Sequence, residues 1–176
     1  MSDIDSLFEG MLQAQQNKKL PPIADWKPTD LGSIDIRIDQ DGRWYHEQRE
    51  IRRKEIVKLF STILLKEQED YFLVTPAQKL KIVVNDAPFI AINMEVKGNL
   101  PDTDLLFETN VGDYVLIGED HPLWVIEDKP YIHVREGLNA LLTRNVFYRL
   151  VDYTTEKNGQ LWVHSCGESF SLGLTD

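Results

Sequence analysis

The sequence holds a single cysteine, Cys166, among 176 residues. It can form no internal disulfide and no zinc site built on paired cysteines. No apolar run approaches the roughly 18 residues that a membrane-spanning helix needs. The opening Ser2-Asp3-Ile4-Asp5 is acidic and lacks the basic start of a secretory signal. Positive charge is scarce: 19 Lys and Arg stand against 29 Asp and Glu, for a net charge of −10. Nucleic acid backbones and anionic lipid both want basic faces, so no nucleic acid partner and no membrane insertion are expected. Glycines are scattered singly, with no Gly-x-Gly-x-x-Gly, no Walker loop and no Gly-x-Ser-x-Gly elbow. A cytoplasmic protein without a cofactor is the expectation.

What is present is enough apolar residue, 42%, to build a core for one domain or two small halves. The stretch Arg49–Pro76 organises the rest. Ile56, Leu59, Phe60, Ile63 and Leu64 recur at i, i+3, i+4, i+7 and i+8, one face of a helix. Lys66–Asp70 ends that helix with charge, and Tyr71–Thr75 reads as a strand stopped by Pro76. Arg52, Arg53 and Lys54 fall in the predicted first turn, where the helix dipole favours acids by about 0.3–1 kcal/mol each. Pairing with Glu47, Glu50 and Glu55 is the plain explanation of that run. An anion bound at the helix start is the functional one.

Residues 1–16 carry a second helical stripe, Ile4, Leu7, Phe8, Met11 and Leu12, with Asp3 or Ser2 available as N-cap. Residues 17–30, with Pro21, Pro22 and Pro28, read as an extended linker. Ile34, Ile36 and Ile38 then alternate with polar residues, Asp39–Gly42 turns the chain, and Arg43–His46 returns as a hairpin. Asp-x-Asp-Gly also resembles the middle of a calcium loop, but that register puts Arg37 and Gln48 at the first and last ligand positions, which excludes it. Strands follow through Val96, and Gly98–Pro101 is the expected internal boundary. Beyond it come further strands, a hairpin around Asp128–Pro130, a segment Leu138–Tyr153 that is helical in part, and two last strands. Arg49–Pro76 falls on Asn139–Cys166 without gaps, Ile56 on Val146, Phe60 on Leu150 and Phe72 on Trp162. The predicted fold is α+β: two similar halves, 31–98 and 99–176, each a small mainly antiparallel sheet with one helix.

Candidate chemistry is thin. Cys166 at a strand end reads as inert, and His121, His133 and His164 lack metal-ligand spacing. Glu108, Asp113, Glu119 and Asp120 crowd one region, as an acidic chain makes ordinary. Both halves, however, place cations near their helix starts: Arg53 and Lys54 in the first, Arg144 in the second. Arg135 ends a strand just before the second helix. Guanidinium groups and free helix N–H groups together suit a phosphate or carboxylate. If the halves face one another, the two basic starts share a cleft.

The ordered motifs Gly32–Ile38, Asp41-Gly-x-Trp-Tyr45, Arg53-Lys54, Leu73–Pro76, Asp86–Phe89, Met94–Val96, Thr109-Asn-x-Gly-Asp113, His121–Leu123 and Phe147-Tyr148 resemble the bacterial domain-of-unknown-function family 1285. The likeness covers nearly the whole chain from Trp26 onward. It implies a duplicated α+β core, a C-terminal half similar to a pleckstrin-homology domain, and a nucleotide-like ligand held between the halves in signal transduction. It adds Asp86, Phe89, His121, Arg135 and Tyr148 as neighbours of that ligand, with Phe89 or Tyr148 able to stack on a base. Glu136-Gly137 stands where relatives often have Gly-Gly, which puts a negative charge beside the implied site. The expected class is a non-enzymatic binding module for a small anion. A protein-interaction adaptor working through the N-terminal helix is the alternative, and a hydrolase acting at the same cleft is a more distant one.

Overall fold

In the computed structural model, which describes residues 3–175 with side chains from Asp5 onward, one helix opens the chain: α1 (Asp3–Gln16). The N-cap expected at Ser2 or Asp3, and the side chain of Ile4, lie outside the described residues. The chain divides into two compact units, one made of Lys19–Pro88 with Glu136–Leu138, the other of the remaining segments through Asp176.

The Lys19–Pro88 unit carries β1 (Asp30–Ile38), β2 (Trp44–His46), β3 (Arg49–Glu50), α2 (Lys54–Thr62), β4 (Leu64–Glu67), β5 (Asp70–Val74) and β6 (Gln78–Val84). They form one sheet in the order β3-β2-β1-β6-β5-β4, antiparallel except where β1 meets β6. Alternation does the sorting: Ile36 and Ile38 turn inward with Trp44, Leu64, Leu73 and Ile82, while Asp35 and Arg43 face water. Each such side chain contributes about 1.5–3 kcal/mol by burial. The Asp39–Gly42 motif is a turn, because Asp39 Oδ1 accepts from the N–H groups of Asp41 and Arg43, both at 2.9 Å.

α2 is shorter than its apolar stripe. Ser61 and Thr62 turn their hydroxyls back onto the carbonyls of Lys58 and Leu59, and Ile63 leaves helical geometry. Such back-bonding satisfies the last carbonyls and competes with continued helix. Leu64 therefore enters β4 opposite Leu73, and Leu59 is left 63% exposed. The start also differs from expectation. Arg53 is the N-cap and Arg52 lies outside, paired with Glu50 at 3.5 Å. Only Lys54 of the three cations occupies the first turn, next to Glu55, so the opposition to the dipole is weaker than the sequence suggests.

The other unit carries β7 (Phe89–Asn99), β8 (Asp102–Thr109), β9 (Tyr114–Leu116), β10 (Leu123–Ile126), β11 (Lys129–Arg135) and β12 (Leu138–Leu142) as a second sheet. Its order is β10-β11-β12-β7-β8-β9, with β12 parallel to β7. α3 (Arg144–Val151) follows, then a separate antiparallel meander of β13 (Thr155–Lys157), β14 (Gln160–Ser165) and β15 (Glu168–Leu174). Arg149 pins α3 to β7, donating to the Asn93 side chain at 2.8 Å and the Met94 carbonyl at 2.7 Å. Ser165, fully buried, ties the meander to the sheet: it accepts from Leu105 N–H at 2.9 Å and donates to the Ile117 carbonyl at 2.7 Å. α1 belongs to this unit. It buries Phe8 beneath the Lys97 ammonium, which also pairs with Glu9, and Gln15 accepts from Tyr114 N–H. Among the described residues no helix is long and apolar enough to cross a membrane.

The internal repeat appears in the element order. α2, β5 and β6 begin at Lys54, Asp70 and Gln78, and α3, β14 and β15 begin ninety positions later in each case, at Arg144, Gln160 and Glu168. The two copies have diverged in pairing. In the first, the meander β4–β6 joins the sheet through β1; in the second, β13–β15 stands apart and β7 takes the edge of β12. Two expectations are corrected accordingly. The two sheets are mainly antiparallel as expected, but each has six strands with one parallel pairing, and a third, three-stranded sheet accompanies them, so the protein is mainly β rather than two small sheets with one helix each. Gly98–Pro101 is no seam but the hairpin between β7 and β8, where Gly98 adopts φ +87°. Leu138–Tyr153 is helical in part as expected: Leu138–Leu142 is strand, since Leu138, Ala140 and Leu142 bury on one face, and the helix runs from Arg144 to Val151.

Candidate functional site

Asp113 is the one charged side chain that is buried among the described residues. β8 ends at Thr109, and the turn that follows folds Asp113 back: its N–H donates to Thr109 Oγ1 at 3.0 Å and its carbonyl accepts from Thr109 N–H at 2.8 Å. The Asp113 side chain is left 1% exposed. A bare carboxylate there would carry a desolvation penalty of several kcal/mol. Each oxygen instead meets a cation: Lys18 Nζ reaches Oδ1, and Arg135 Nη1 reaches Oδ2 at 2.8 Å. Lys18 arrives from just beyond α1, and Arg135 from the end of β11. Both oxygens of one buried carboxylate are thus each met by a cation.

Arg135 is held on a second side. Its guanidinium carbon stands 5.2 Å from the centroid of the Phe89 ring, a cation–π contact. The planar group is thereby fixed by the carboxylate and the ring, with 18% of the side chain exposed. Alternation along β11 sets its companions. Ile132 and Val134 are buried, so Tyr131, His133 and Arg135 share the opposite face. His133 stacks on His121 with centroids 5.8 Å apart, and Tyr131 on Trp124 at 6.1 Å. His121 Nδ1 meets the His133 carbonyl at 3.1 Å, and His133 Nδ1 the Asp120 carbonyl at 3.2 Å. Among the described residues no group of three or more His, Cys, Asp and Glu is gathered as a metal site.

Of the residues expected at a ligand, Phe89 and Arg135 come together, with His121 contributing to the same stretch through His133. Phe89 is fully buried beneath Arg135, so it offers no face to a base; stacking would fall to Tyr148, which is 61% exposed on α3. Arg144 is exposed at the first helical position of α3, where Thr143 caps the helix by accepting from Val146 N–H at 3.3 Å. Arg53, Lys54 and Asp86 belong to the Lys19–Pro88 unit. Arg53 and Lys54 are exposed there, and burial, then Glu69 and Asp86, push the Tyr71 phenol above its ordinary pKa.

Asp113 and Lys18 are the residues that reading the sequence missed. One signal was available: Val111, Asp113 and Val115 are all buried, so an acid sits in register with two core valines. Cys166 is exposed, yet burial and then Asp104 hold its thiol above the usual range, the wrong direction for a nucleophile.

Residues 21–87 match the family model described as "Domain of unknown function (DUF1285), N-terminal domain", and residues 88–172 match "Protein of unknown function (DUF1285), C-terminal domain". The chain belongs to the DUF1285 family. It is similar to a DUF1285 family protein from Silicibacter pomeroyi DSS-3 of known crystal structure: identity is 39%, TM-score 0.85, and the match covers 94% of this chain and 95% of that one. A DUF1285 family protein from Shewanella baltica OS155 is more distant, at 26% identity and TM-score 0.56, over 66% of this chain and 90% of that one. No curated protein matches.

Proposed function

We propose that this DUF1285 protein is a non-enzymatic binding module for a small anionic, nucleotide-like ligand, with Arg135 as its principal contact. One observation carries the reading: Arg135 is held between the Asp113 carboxylate and the Phe89 ring, part-exposed, within a chain whose net charge is −10. A guanidinium held in one plane loses little freedom when it grips a carboxylate or phosphate, which is where Arg exceeds Lys. Exposed Arg144 and Tyr148 are the neighbours to test, the first for charge and the second for stacking on a base. The pleckstrin-homology likeness implied for the second half favours a sensory role in signalling, by analogy of fold alone.

The test is calorimetric titration with orthophosphate, AMP and citrate at low ionic strength. A charge-assisted contact is worth about 1.5–3 kcal/mol, or roughly tenfold to a hundredfold in affinity. Arg135→Lys keeps the ion pair with Asp113 but loses the planar fork, and should weaken the anion that binds by at least tenfold. Added salt should weaken it further. Equal affinity in parent and variant, or no binding by any of the three at millimolar concentration, refutes the reading. The start of α2 is tested on its own by Arg53→Glu in the same titrations.

A further inference from the structure

The meander β13–β15 has an outer face that the anion reading does not use. Val163 and Ser165 point to the core, so Gln160, Trp162 and His164 alternate onto the other side of β14. Thr155 and Lys157 of β13 and Ser169 of β15 complete that side, because Thr155 pairs with Trp162, Lys157 with Gln160 and Ser169 with His164. Together with Asn158 at the β13–β14 turn they surround a hollow of about 450 Å³. That lies within the roughly 300–1,000 Å³ of small-molecule sites.

The lining is specific in its chemistry. Trp162 is a half-buried aromatic plate in the middle of an otherwise polar strand face, and among the described residues nothing accepts a hydrogen bond from its buried Nε1–H. A buried donor without an acceptor is uncommon. His164 is fixed by two hydroxyls, Thr155 Oγ1 and Ser169 Oγ, each 2.8 Å from a ring nitrogen. Gln160 leans its carbonyl oxygen toward Ser171 Oγ at 3.4 Å. Its amide nitrogen and the Asn158 amide supply further polar contacts at the rim. Donors and acceptors are therefore mixed around one flat apolar surface.

Charge narrows the ligand. Among the described residues Lys157 is the one formally charged side chain lining the hollow, and it disfavours a cation. On the other side of His164 a second depression is lined by Asp102, Asp104 and Glu168, which disfavours an anion. What remains is a neutral, hydroxyl-rich molecule with one apolar face. We infer that the outer face of β13–β15 binds a neutral saccharide, its ring stacked on Trp162 and its hydroxyls taken by Asn158, Gln160 and the groups around His164.

Saturation-transfer NMR on the full chain, with glucose, galactose, N-acetylglucosamine, adenosine and AMP as separate probes, tests this. At least one sugar should receive saturation at its ring protons. Trp162→Ala should abolish that transfer, and Trp162→Phe, which keeps an aromatic ring but loses part of the stacking plate together with the Nε1 donor, should weaken binding by roughly tenfold. Gln160→Ala, at the half-buried rim, should weaken it by a similar factor. Thermal melting confirms that each variant folds. If no sugar shows transfer, if transfer persists in Trp162→Ala, or if adenosine and AMP alone bind through Trp162, the saccharide assignment is overturned. Arg135→Lys should leave the sugar signal unchanged, which separates this site from the anion site.

Discussion

Asp113→Asn is the substitution that reads the Asp113 cluster most sharply. It preserves shape and one acceptor oxygen while removing the charge that Lys18 and Arg135 share. Lys18, with 30% of its side chain exposed, can turn its ammonium into water. Arg135, at 18% and wedged over Phe89, has less room to do so and loses the Asp113 charge it pairs with. Removing one partner of a buried pair costs about 3–5 kcal/mol. The retained amide oxygen and the freedom of Lys18 place this case near the lower end, about 3 kcal/mol. A domain of this size loses about 2–4 °C of melting temperature per kcal/mol, so the transition should fall by about 6–12 °C. Lys18→Ala, at the wetter end of the cluster, should cost under about 1 kcal/mol. Urea unfolding followed by tryptophan fluorescence measures both, with an unchanged m-value showing that the unfolded state is the same. If Asp113→Asn lies within about 0.5 kcal/mol of the parent, Asp113 does not anchor Arg135 and the derivation of the site fails.

Two further outcomes follow from groups in the same unit. Ser165→Ala strands the buried Leu105 N–H and the Ile117 carbonyl together, and should cost about 1–3 kcal/mol in the same unfolding assay; a neutral result would show that the meander is not stitched to the sheet through this hydroxyl. Because burial and Asp104 raise the Cys166 pKa, less thiolate is present at any given pH than for an unperturbed thiol. Alkylation by iodoacetamide at pH 8 should thus be slower than for a model peptide, and Asp104→Asn, which keeps an acceptor for Cys166 N–H but removes the charge, should accelerate it. Faster labelling in the parent than in the peptide contradicts that sign.

The legible parts of this protein were those fixed by local pattern. Val146 and Leu150 on one face mark α3, the Ile36 and Ile38 alternation marks β1, and the ninety-residue repeat is visible because α2 and α3 place their apolar residues alike. Local pattern failed where another interaction took over. Leu59 belongs to a helical stripe yet faces solvent, because Ser61 and Thr62 end α2 before the stripe runs out. Gly98-Asn-Leu-Pro101 has the composition of a linker and of a tight hairpin alike, and the pairing of β7 with β8 decides for the hairpin. The site was the least legible. Asp113 looks ordinary among Glu108, Glu119 and Asp120, since its two cations lie 95 and 22 positions away in sequence. Trp162 aligns with Phe72 in the repeat, but in the second copy the meander stands apart from the sheet, and its outer face is therefore its own.

The most direct measurement on the binding reading is the arginine side-chain Nε–Hε spectrum recorded during titration with AMP. The Arg135 resonance is assigned by its loss in Arg135→Lys. A saturable shift of that resonance, with the same midpoint as the calorimetric isotherm, is the expected result. An Arg135 signal that stays fixed while calorimetry reports binding, or that moves only when Asp113 is replaced, contradicts it.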